Sequence, residues 1–563
     1  MKFGVFDIEA ESWINFRVLG FFDGEDYKVF YDIKKFLSFL DSKKFDGWRI
    51  YAHFGGRYDF LFLLDYIINR WKYRLIERHG RLLGIVCETP KGVHFTLADS
   101  YAILPFSLKA LSESFDITHK KKEFEFEKGF EVTPKLLSYL ENDVKGLYEI
   151  LSSYFAFEYI DDAKLTIASQ ALDIFKQRFF DGELVRMYDG DEMIFRKFFY
   201  HGGRVEVYKG FGKNLNLYDI NSLFPYAMLQ KMPCGDSFKT RTFQKNLIGF
   251  YKVNVLSTPN FYVTPYLQKF DKKNYFVNGA GVYYLSSFML DFLKKEFGVR
   301  FEVEWGYVFK KKSYLFNDYV NTFFKMKTES KDVVQYTIAK LLLNSLYGKF
   351  GQNRIREELV QLKDINVMKD SYAVECNGLE EYGWVLVERK SRSKFILPYI
   401  AATITDIARL EHFKFLIQKP ENVYYCDTDS FVTTDSFVTS QMIGGLKAEV
   451  ENAEGVFLTA KSYGLSKGKK EYVKFKGFES DFSFEDLKKK LLYNEVIVEK
   501  HERMLSMREC LRRKNGIVNE KGKFLKLVKV EKEFQNMDIK RIKFEDKKHV
   551  FDSRAYTQTE LSK

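Results

Sequence analysis

The stretch VYYCDTDSFVTT, residues 423–434, decides the fold of the part of the chain that surrounds it. Two apolar, β-branched and aromatic runs flank a central Asp-Thr-Asp, a pattern that predicts a β-hairpin with Asp427 and Asp429 at its tip. Acids at i and i+2 repel each other, which favours a divalent cation at the tip. An Asx-turn that merely closes the hairpin is the structural alternative.

A third acid and a helix lie upstream of this hairpin. Asp219 follows a predicted strand, Asn214–Tyr218, in LNLYDINSLFP. In the predicted helix KLLLNSLYGKF, Lys340, Asn344 and Tyr347 are spaced at i, i+4 and i+7 and so share one face. A cation, an amide and a ring on one face suit the triphosphate, sugar and base of a nucleotide, whereas a core helix would not place Lys on that face.

A separate set of acids occupies the front of the chain. Asp7 and Glu9 end a predicted strand in VFDIEA, with both side chains on one face. Asp59 opens a helical stretch, and Tyr139 and Asp143 share a helical face at i, i+4. Four acids and a tyrosine in this order form a plausible two-metal nuclease site, in which the tyrosine orients the attacking water. Acids at strand ends that serve only solubility are the alternative.

The coarse pattern predicts an α/β segment up to about residue 185, then mixed strands and helices. The predicted elements not yet given are strands Phe3–Ile8, Arg49–Ala52 and Gly92–Ala98, helices Tyr58–Ile68, Pro134–Phe155, Asp332–Leu346 and Ala401–Ile417, a stretch of strands and turns at 235–310, and a region of short strands at 351–397.

Composition limits the class of protein. At 563 residues the chain is long enough for three or four structural units, and 46% hydrophobic with 29% charged residues is ordinary for a globular protein. An apolar run of about 18 residues is absent, as is an apolar signal core, so neither a membrane nor a secreted protein is expected. Five scattered cysteines predict no disulfide framework, and we expect a reducing, cytoplasmic setting.

Charge is unevenly distributed. Residues 461–563 hold 27 Lys and Arg against 17 Asp and Glu, which accounts for +10 of the net charge of +12. A basic C-terminal unit with 17% aromatic residues in the whole chain favours nucleic-acid binding. A solvated, solubilising tail explains the charge equally well. A GxxxxGK[ST] loop is missing, so any triphosphate is expected to be a substrate rather than the fuel of a P-loop motor.

Taken in order, the motifs resemble those of family B DNA polymerases, and the match is closest to the protein-primed branch, the phi-twenty-nine type of phages and linear plasmids. The motifs span about four-fifths of the chain. They are DIE (7–9), YD (58–59), YxxxD (139–143), YHGG (200–203), DINSLFP (219–225), KLLLNSLYG (340–348), TDIAR (405–409), YCDTDS (425–430) and KEY (470–472).

The resemblance implies a role for each motif residue. The exonuclease metal ligands would be Asp7, Glu9, Asp59 and Asp143, assisted by Tyr139 and Lys121. The polymerase metals would be held by Asp219 and Asp429, with Asp427 beside them. The nucleotide contacts would be Lys340, Asn344, Tyr347, Phe224 and Ser222. The primer-template contacts would be Tyr200, Gly202, Gly203, Thr405, Arg409, Lys470 and Tyr472. Each site would use two Mg²⁺, with Mn²⁺ as an alternative.

The implied fold is α/β and α+β multidomain, with a ribonuclease H-like 3′-5′ exonuclease domain (1–185) before a right-hand polymerase domain (186–563). The expected parts of the latter are the palm at 186–234, 311–321 and 398–481, the fingers at 322–350, the thumb at 482–563, and two insertions at 235–310 and 351–397. The first insertion would contact a terminal protein and the second would help encircle DNA for processivity and strand displacement.

The implied protein is a monomeric DNA-directed DNA polymerase that replicates a linear genome and uses dNTPs, primer-template and single-stranded DNA, and a terminal protein as primer. It would work in the host cytoplasm if phage-encoded, or in an organelle if plasmid-encoded. The family's second exonuclease motif usually has an Asn where this chain has Gly55, so His53 or the glycine-lined backbone would bind the single strand instead. Phe224 replaces a common Tyr, and either ring can crowd a ribose 2′-hydroxyl.

Three alternatives remain at this stage. A DNA-primed family B polymerase would share the motifs but lack terminal-protein priming. A nuclease with an inert DNA-holding platform would require a broken polymerase triad, yet all three aspartates are present. A non-enzymatic single-strand-binding protein would explain the charge and the aromatic residues, but it leaves both acid clusters without a purpose, since acids repel phosphate unless a metal intervenes.

Overall fold

The computed structural model describes residues 1–11, 14–78, 80–125, 130–363, 371–374, 383–478, 482–493, 495–512, 527–534, 540–545 and 551–561. Parts of the predicted second insertion and thumb therefore lie outside the described residues. In the described part of the chain, none of the helices is both long enough and apolar enough to cross a membrane.

The N-terminal third is built on a seven-stranded mixed sheet in the order β3-β2-β1-β4-β7-β6-β5, in which β1, β4 and β7 are parallel. The strands are β1 (Phe3–Glu11), β2 (Asn15–Phe22), β3 (Tyr27–Phe30), β4 (Trp48–Ala52), β5 (Lys72–Arg78), β6 (Arg81–Glu88) and β7 (His94–Asp99). The helices up to residue 194 are α1 (Ile33–Leu40), α2 (Asp59–Arg70), α3 (Leu108–Ser114), α4 (Pro134–Phe155), α5 (Ile167–Ile174) and α6 (Asp189–Ile194).

The sequence of helix α4 explains where the helix begins and which face it buries. Thr133 caps it by accepting a hydrogen bond from the backbone N–H of Leu136, and Pro134 occupies the first turn, where its missing N–H costs nothing. Its buried face, which includes Leu140, Val144 and Leu147, packs against β1 and β2. The helix is thereby held across the strand that carries the first two acids.

A second seven-stranded sheet, in the order β23-β22-β21-β9-β20-β19-β8, forms the central platform. Its strands are β8 (Val205–Val207), β9 (Phe211–Ile220), β19 (Val423–Asp427), β20 (Ser430–Thr433), β21 (Leu446–Thr459), β22 (Ser462–Lys467) and β23 (Lys470–Phe475). Helices α7 (Leu223–Met228) and α12 (Pro398–Leu416) contact each other beside this sheet. α12 is apolar almost all round and correspondingly buried.

Three smaller units lie between and after these sheets. The segment from 232 to 313 contains β10 (Met232–Thr240), β11 (Ile248–Ser257), β12 (Tyr266–Phe270), β13 (Lys273–Val277), β14 (Gly281–Ser286), α8 (Ser287–Phe297) and β15 (Arg300–Ser313). A helical unit follows with α9 (Asn317–Glu329), α10 (Val333–Ser345) and α11 (Tyr347–Phe350), then a three-stranded sheet of β16 (Ile355–Gln361), β17 (Ser371–Val374) and β18 (Trp384–Lys390).

The C-terminal elements are α13 (Phe484–Tyr493), β24 (Val498–Met504), α14 (Met507–Arg512), β25 (Leu527–Glu533), β26 (Ile542–Glu545), β27 (Phe551–Arg554) and α15 (Gln558–Leu561). One core cluster joins the first sheet to Leu359, Trp384 and Leu386 of the three-stranded sheet and to Met507. The modules are therefore packed together rather than strung on linkers.

The predicted α/β and α+β multidomain class is confirmed, and several element predictions agree closely. The predicted helix Pro134–Phe155 is α4, and the predicted hairpin is β19 and β20. One prediction needs correction, because the helix that carries Lys340 ends at Ser345 and Tyr347 begins α11. Leu346 between them keeps helical dihedrals (φ −68°, ψ −52°), so the shared face continues across the break.

Candidate active sites

The first acidic site lies where β1 meets α2 and α4. Asp7 and Glu9 project from one face of β1, and the buried Asp59 accepts a hydrogen bond from the backbone N–H of Ile8 at 3.0 Å. Asp143 comes from α4 and receives an ion pair and hydrogen bond from Lys121, whose ammonium also donates to the Tyr139 hydroxyl. The structure thus brings together all six residues predicted for this site.

The acids of this site suppress one another's ionisation. Burial, together with the charge of Asp143, raises the pKa of Asp7 to about 7. Burial and the neighbouring Asp7 raise the pKa of Glu9 to about 9 and hold that of Asp59 well above its usual range. Burial also raises the pKa of Asp143, although the Lys121 ammonium opposes it. At neutral pH this cluster has too few neighbouring positive charges for all four carboxylates to ionise.

These residues fit divalent cations by the chemistry of their donors. All four are carboxylates, the ligands that Mg²⁺ prefers, and Asp143 Oδ1 is buried without a hydrogen-bond partner. Among the described residues, no group of three or more His, Cys, Asp or Glu side chains is already arranged so that it could hold a metal ion. Lys121 provides the positive charge beside Asp143 in this arrangement.

Gly55 is explained by packing. A Cβ at this position would lie 2.7 Å from the Cβ of Ala52 and 2.8 Å from the Phe60 ring, so a side chain such as Asn does not fit without movement. The predicted substitute His53 is engaged elsewhere, with its ring nitrogens 2.9 Å from Ser100 Oγ and from the Phe106 carbonyl oxygen. Burial lowers its pKa to about 4, so it carries no charge to attract a strand.

The second acidic site lies in the central sheet. Asp219 is paired in register with Ser430 of β20, and the backbone N–H of Ile220 donates to the carbonyl oxygen of Asp429 at 2.7 Å. The hairpin tip therefore closes against the end of β9. Asp219 and Asp429 line a cleft of about 440 Å³ together with Asp427, Glu449, Lys461, Tyr472 and Lys474.

The carboxylates of this cleft also repel one another. Burial and the charge of Asp429 raise the pKa of Asp219 to about 7. Burial, and to a smaller extent the charge of Asp427, raises the pKa of Asp429. Asp427 pairs with Lys461 at 3.2 Å. Asp219 and Asp429 have no such partner among the described residues, so their donor set fits divalent cations.

The tip of the hairpin is held in an unusual backbone conformation. Thr428 has a φ of +65°, which a β-branched residue rarely adopts, and its backbone N–H donates to the Arg204 carbonyl at 2.7 Å. Gly203 leaves room for it, since a Cβ there would lie 2.6 Å from Thr428 Cγ2. The predicted YHGG motif therefore supports the acid-bearing turn directly, with Gly202 exposed and Tyr200 packed against Gly351.

The predicted nucleotide residues lie on α7, α10 and α11 and at Ser222, the residue just before α7. The rings of Phe224 and Tyr347 stack in parallel, with centroids 4.5 Å apart and an interplanar angle of 1°. Ser222 Oγ accepts a hydrogen bond from Lys327 at 2.9 Å. Lys340 and Asn344 are exposed on α10.

Three lysines in this region were not predicted from the sequence. Lys327 lies on α9, and burial together with the charge of Lys340 lowers its pKa. Lys461 and Lys474 flank the aspartates, and Lys474 follows Tyr472 at i+2 on β23, a strand spacing that could have identified it. Lys470 is exposed two residues before Tyr472 on the same strand.

Two predicted DNA contacts lie instead inside the protein. Thr405 is 3% exposed, and its hydroxyl donates to the Ala402 carbonyl. Arg409 is 8% exposed, donates to the carbonyl oxygens of His201 and Gly202, and pairs with Asp406 at 2.8 Å. Arg409 thus holds the YHGG loop in place rather than facing solvent, because α12 is buried on all sides.

The chain is similar to members of a known protein family. The model of the family "DNA polymerase type B, organellar and viral" matches residues 42–132 and 125–383, more than half of the chain. A probable DNA polymerase of Neurospora intermedia is 28% identical over 82% of this chain, and the DNA-directed DNA polymerase of Enterobacteria phage PRD1 is 29% identical over 77% of each chain. This chain spans only 41–57% of the length of the probable DNA polymerases of three fungi.

A solved structure resembles nearly all of the chain. The phi29 DNA polymerase complexed with primer-template DNA and incoming nucleotide matches with a TM-score of 0.71 at 19% identity, covering 95% of this chain and 100% of that one. At this identity the likeness shows the fold, and it confirms the predicted class of an exonuclease unit followed by a palm, fingers and thumb unit.

Proposed function

The chain belongs to the family of organellar and viral type B DNA polymerases, and from this premise we propose that it is a DNA-directed DNA polymerase with a 3′→5′ proofreading exonuclease. The observation that carries the proposal is the placement of Asp219 near the end of β9 and of Asp429 in the adjoining hairpin turn, beside a stacked pair of rings and a lysine bound to Ser222. We assign residues 1–185 to the exonuclease and 186–563 to the polymerase, with the subdivisions given above.

In the polymerase site each side chain has a distinct task. Lys327 and Lys340 bind the triphosphate, because two neighbouring ammonium groups beside the acids supply positive charge where phosphates must lie. Tyr347 supports the incoming base, and Phe224, stacked on it, crowds a ribose 2′-hydroxyl. Tyr472 and Lys470 on β23 contact the primer end. Arg409 acts as a positioning residue through the YHGG loop.

The acids of both sites would hold Mg²⁺ or Mn²⁺, two per site, which when bound activates the attacking oxygen and stabilises the leaving one. In the exonuclease site the chain itself contributes two further groups. Tyr139 orients the attacking water, and Lys121 holds both the Tyr139 hydroxyl and the Asp143 carboxylate in position. Burial raises the pKa of Tyr139 to about 12, so its hydroxyl stays protonated and can donate.

The experiment that tests this function is primer extension with Mg²⁺ and dNTPs, with and without a DNA primer. Extension of a 3′ end, together with degradation of single strands when dNTPs are omitted, is the expected result. A protein that only binds DNA would do neither, and a nuclease on an inert platform would only degrade.

Protein priming is a second part of the proposal. The relatives include phage polymerases. Ser286, in the segment 235–310, donates a hydrogen bond to Asp406 of α12, which we assign to the palm. We infer that this segment docks a terminal protein whose hydroxyl replaces a DNA 3′-hydroxyl at Asp219 and Asp429. Deleting it should abolish labelling of the terminal protein by dNTP while extension of a DNA primer continues. Normal labelling would leave a DNA-primed polymerase.

Processivity and strand displacement complete the proposal. The described part of the segment 351–397 packs its sheet against the first module, with Leu359 and Trp384 in that module's core. A sheet fixed in this place can help to encircle DNA. Its deletion should shorten the products made on a primed circle and leave short extension intact.

A further inference from the structure

A group of three charged side chains is buried beside the strand that carries Asp427. Arg204, Glu206 and Arg541 are all buried. Arg204 Nε donates to Glu206 Oε2 at 2.6 Å, and Arg541 Nη1 lies 3.8 Å from Glu206 Oε1. Although burial favours the neutral acid, the charges of Arg204 and then Arg541 hold the pKa of Glu206 below its usual value. We call Arg204, Glu206 and Arg541 the buried triad.

Stability alone does not explain the buried triad. Taking three charges out of water costs free energy, and apolar side chains of similar volume often stabilise such a place equally well. Among the described residues, Arg204 Nη2, Glu206 Oε1 and Arg541 Nη1 also lack a hydrogen-bond partner. Charged groups, however, hold their partners in a defined direction, which an apolar contact does not. The function of the buried triad therefore lies in the geometry that it fixes.

Two members of the buried triad support the acid-bearing turn. Arg204 immediately precedes β8, and Glu206 on β8 pairs in register with Cys426 of β19. The Arg204 carbonyl oxygen accepts the backbone N–H of Thr428, the residue whose φ is +65°. In the strand order that the structure describes, β8 lies at the edge of the central sheet. An edge strand has a ladder partner on one side only, so other contacts of β8 decide how firmly the turn is held.

The hairpin of β26 and β27, together with the two residues before it, supplies such contacts. Lys540 donates to the Val205 carbonyl oxygen at 2.9 Å, and Ser553 Oγ donates to the Tyr208 carbonyl oxygen at 2.6 Å. Arg541 Nε in turn donates to Ser553 Oγ at 2.8 Å, and its guanidinium lies 4.4 Å from the centroid of the Tyr208 ring. A residue of the C-terminal region thus reaches the acid-bearing turn through the other two members of the buried triad.

Building on the proposed polymerase function, we propose that Arg541 is a positioning residue of the polymerase site, which acts through the buried triad to hold the turn between Asp427 and Asp429 in the geometry that binds cations. Its buried side chain does not touch substrate. Loss of a group that orients a metal ligand typically costs about 10- to 100-fold in metal affinity or activity. The exonuclease acids lie on another sheet, so their cation requirement should not change.

The test compares the wild-type protein with R541M, R541K and the control R554M. Arg554 lies on β27 of the same hairpin, but it pairs with Glu560 at 2.6 Å rather than with the buried triad. Hydrogen–deuterium exchange in EDTA measures how well the amides of residues 423–434 are protected when no cation is bound. Single-nucleotide addition to a DNA primer is then measured while free Mg²⁺ and dNTP are varied separately. Degradation of single strands across the same Mg²⁺ series is the internal reference.

The turn amides of R541M should exchange faster in EDTA, because the carbonyl that accepts the Thr428 N–H loses its support. Half-maximal nucleotide addition should require about tenfold more Mg²⁺, while the KM for dNTP and the Mg²⁺ requirement of degradation stay unchanged. R541K keeps a charge beside Glu206 and should recover part of the loss, and R554M should match the wild type. A role in general stability would instead lower extension and degradation together without changing either Mg²⁺ requirement.

In a folded R541M protein, unchanged exchange of the turn amides or an unchanged Mg²⁺ requirement for extension overturns this inference alone. An equal change in the Mg²⁺ requirements of extension and degradation does the same. Absence of extension by the wild-type protein overturns the polymerase proposal as well.

Folding of the variants is checked by thermal melting. Should R541M unfold, S553A repeats the comparison, because this change removes only the hydroxyl that Arg541 Nε binds. The turn amides of S553A should exchange faster than those of the wild type, with a smaller increase in the Mg²⁺ requirement for extension. No change in a folded S553A protein counts against the inference.

Discussion

The two acidic sites balance their charge in opposite ways. The first gathers four carboxylates around β1, and Lys121 is the ammonium that pairs with one of them. The second places Asp219 and Asp429 in an open cleft whose walls include Lys461 and Lys474. The first site is therefore compensated only in part, by one internal ammonium group, whereas the second is lined by lysines that can also meet phosphate.

This difference suits two different substrates. A site that hydrolyses the end of a strand must hold water and cations tightly, and buried acids with raised pKa values favour cation uptake. A site that receives a triphosphate must admit extra negative charge, which surrounding lysines offset. The two sites should therefore respond differently to the loss of one acid or one lysine.

The largest effect is expected at the second site. Asp429→Ala removes a candidate ligand whose partner Asp219 cannot hold a cation alone, so nucleotide addition should fall by several orders of magnitude. Degradation of single strands should persist, because the acids around β1 are on another sheet. Gel-based primer extension and a separate degradation assay measure both. Extension within about tenfold of wild type, about 1.4 kcal/mol, would place the polymerase chemistry elsewhere.

The converse change should separate the sites from the other side. Asp143→Ala leaves Lys121 without its carboxylate and removes one of the four acids, so degradation should fall by about a thousandfold or more. Extension of a matched primer should remain within about twofold. Asp7→Ala should behave likewise, and retained degradation in both variants would refute the assignment of this site.

The sequence could predict the acids because local patterns carry them. The hairpin at 423–434 follows from alternation around a two-residue turn, and α4 follows from its cap and apolar spacing. Asp59 was predicted because it opens a helix. In each case about a dozen consecutive residues determine both the element and the functional residue that it carries.

Residues that reach the sites through long-range packing could not be predicted in this way. Lys327 meets Ser222 across 105 positions of sequence, and only the packing of α9 against α7 brings them together. Arg409 was predicted to touch DNA. Its pairing with Asp406 is a local i, i+3 contact, but the sequence of α12 does not reveal that the carbonyl oxygens of His201 and Gly202 also engage it. Burial of a charged side chain depends on tertiary partners that no local pattern records.

A smaller effect is expected when the internal ammonium of the first site is removed. Lys121→Met keeps the length of the side chain but leaves Tyr139 and Asp143 without their shared donor, so degradation should fall by about 100-fold, the usual scale for one positioned group. Lys121→Arg should recover part of the loss because it retains the charge. Kinetics of single-strand degradation under single-turnover conditions measure this, and a K121M rate within twofold of wild type would remove Lys121 from the mechanism.

The smallest effect concerns stability, and it tests whether the first site lacks positive charge. The pKa of Glu9 is about 9 in the folded protein and about 4.5 when unfolded, so between these values the folded state binds a proton that the unfolded state does not. The free energy of unfolding must therefore fall as pH rises through this window, by at most about 1.4 kcal/mol for each pH unit. Melting in EDTA at pH 6 and pH 8.5 should show a drop of a few degrees in the wild-type protein and a smaller drop in Glu9→Gln. Mg²⁺ should reduce the wild-type drop, since a bound cation replaces the proton.

Glu11→Gln is the matched control, because Glu11 ends the same strand and is paired with Arg17. If Glu9→Gln and Glu11→Gln lose equal stability between the two pH values, the acids around β1 are not short of positive charge, and the contrast between the two sites fails.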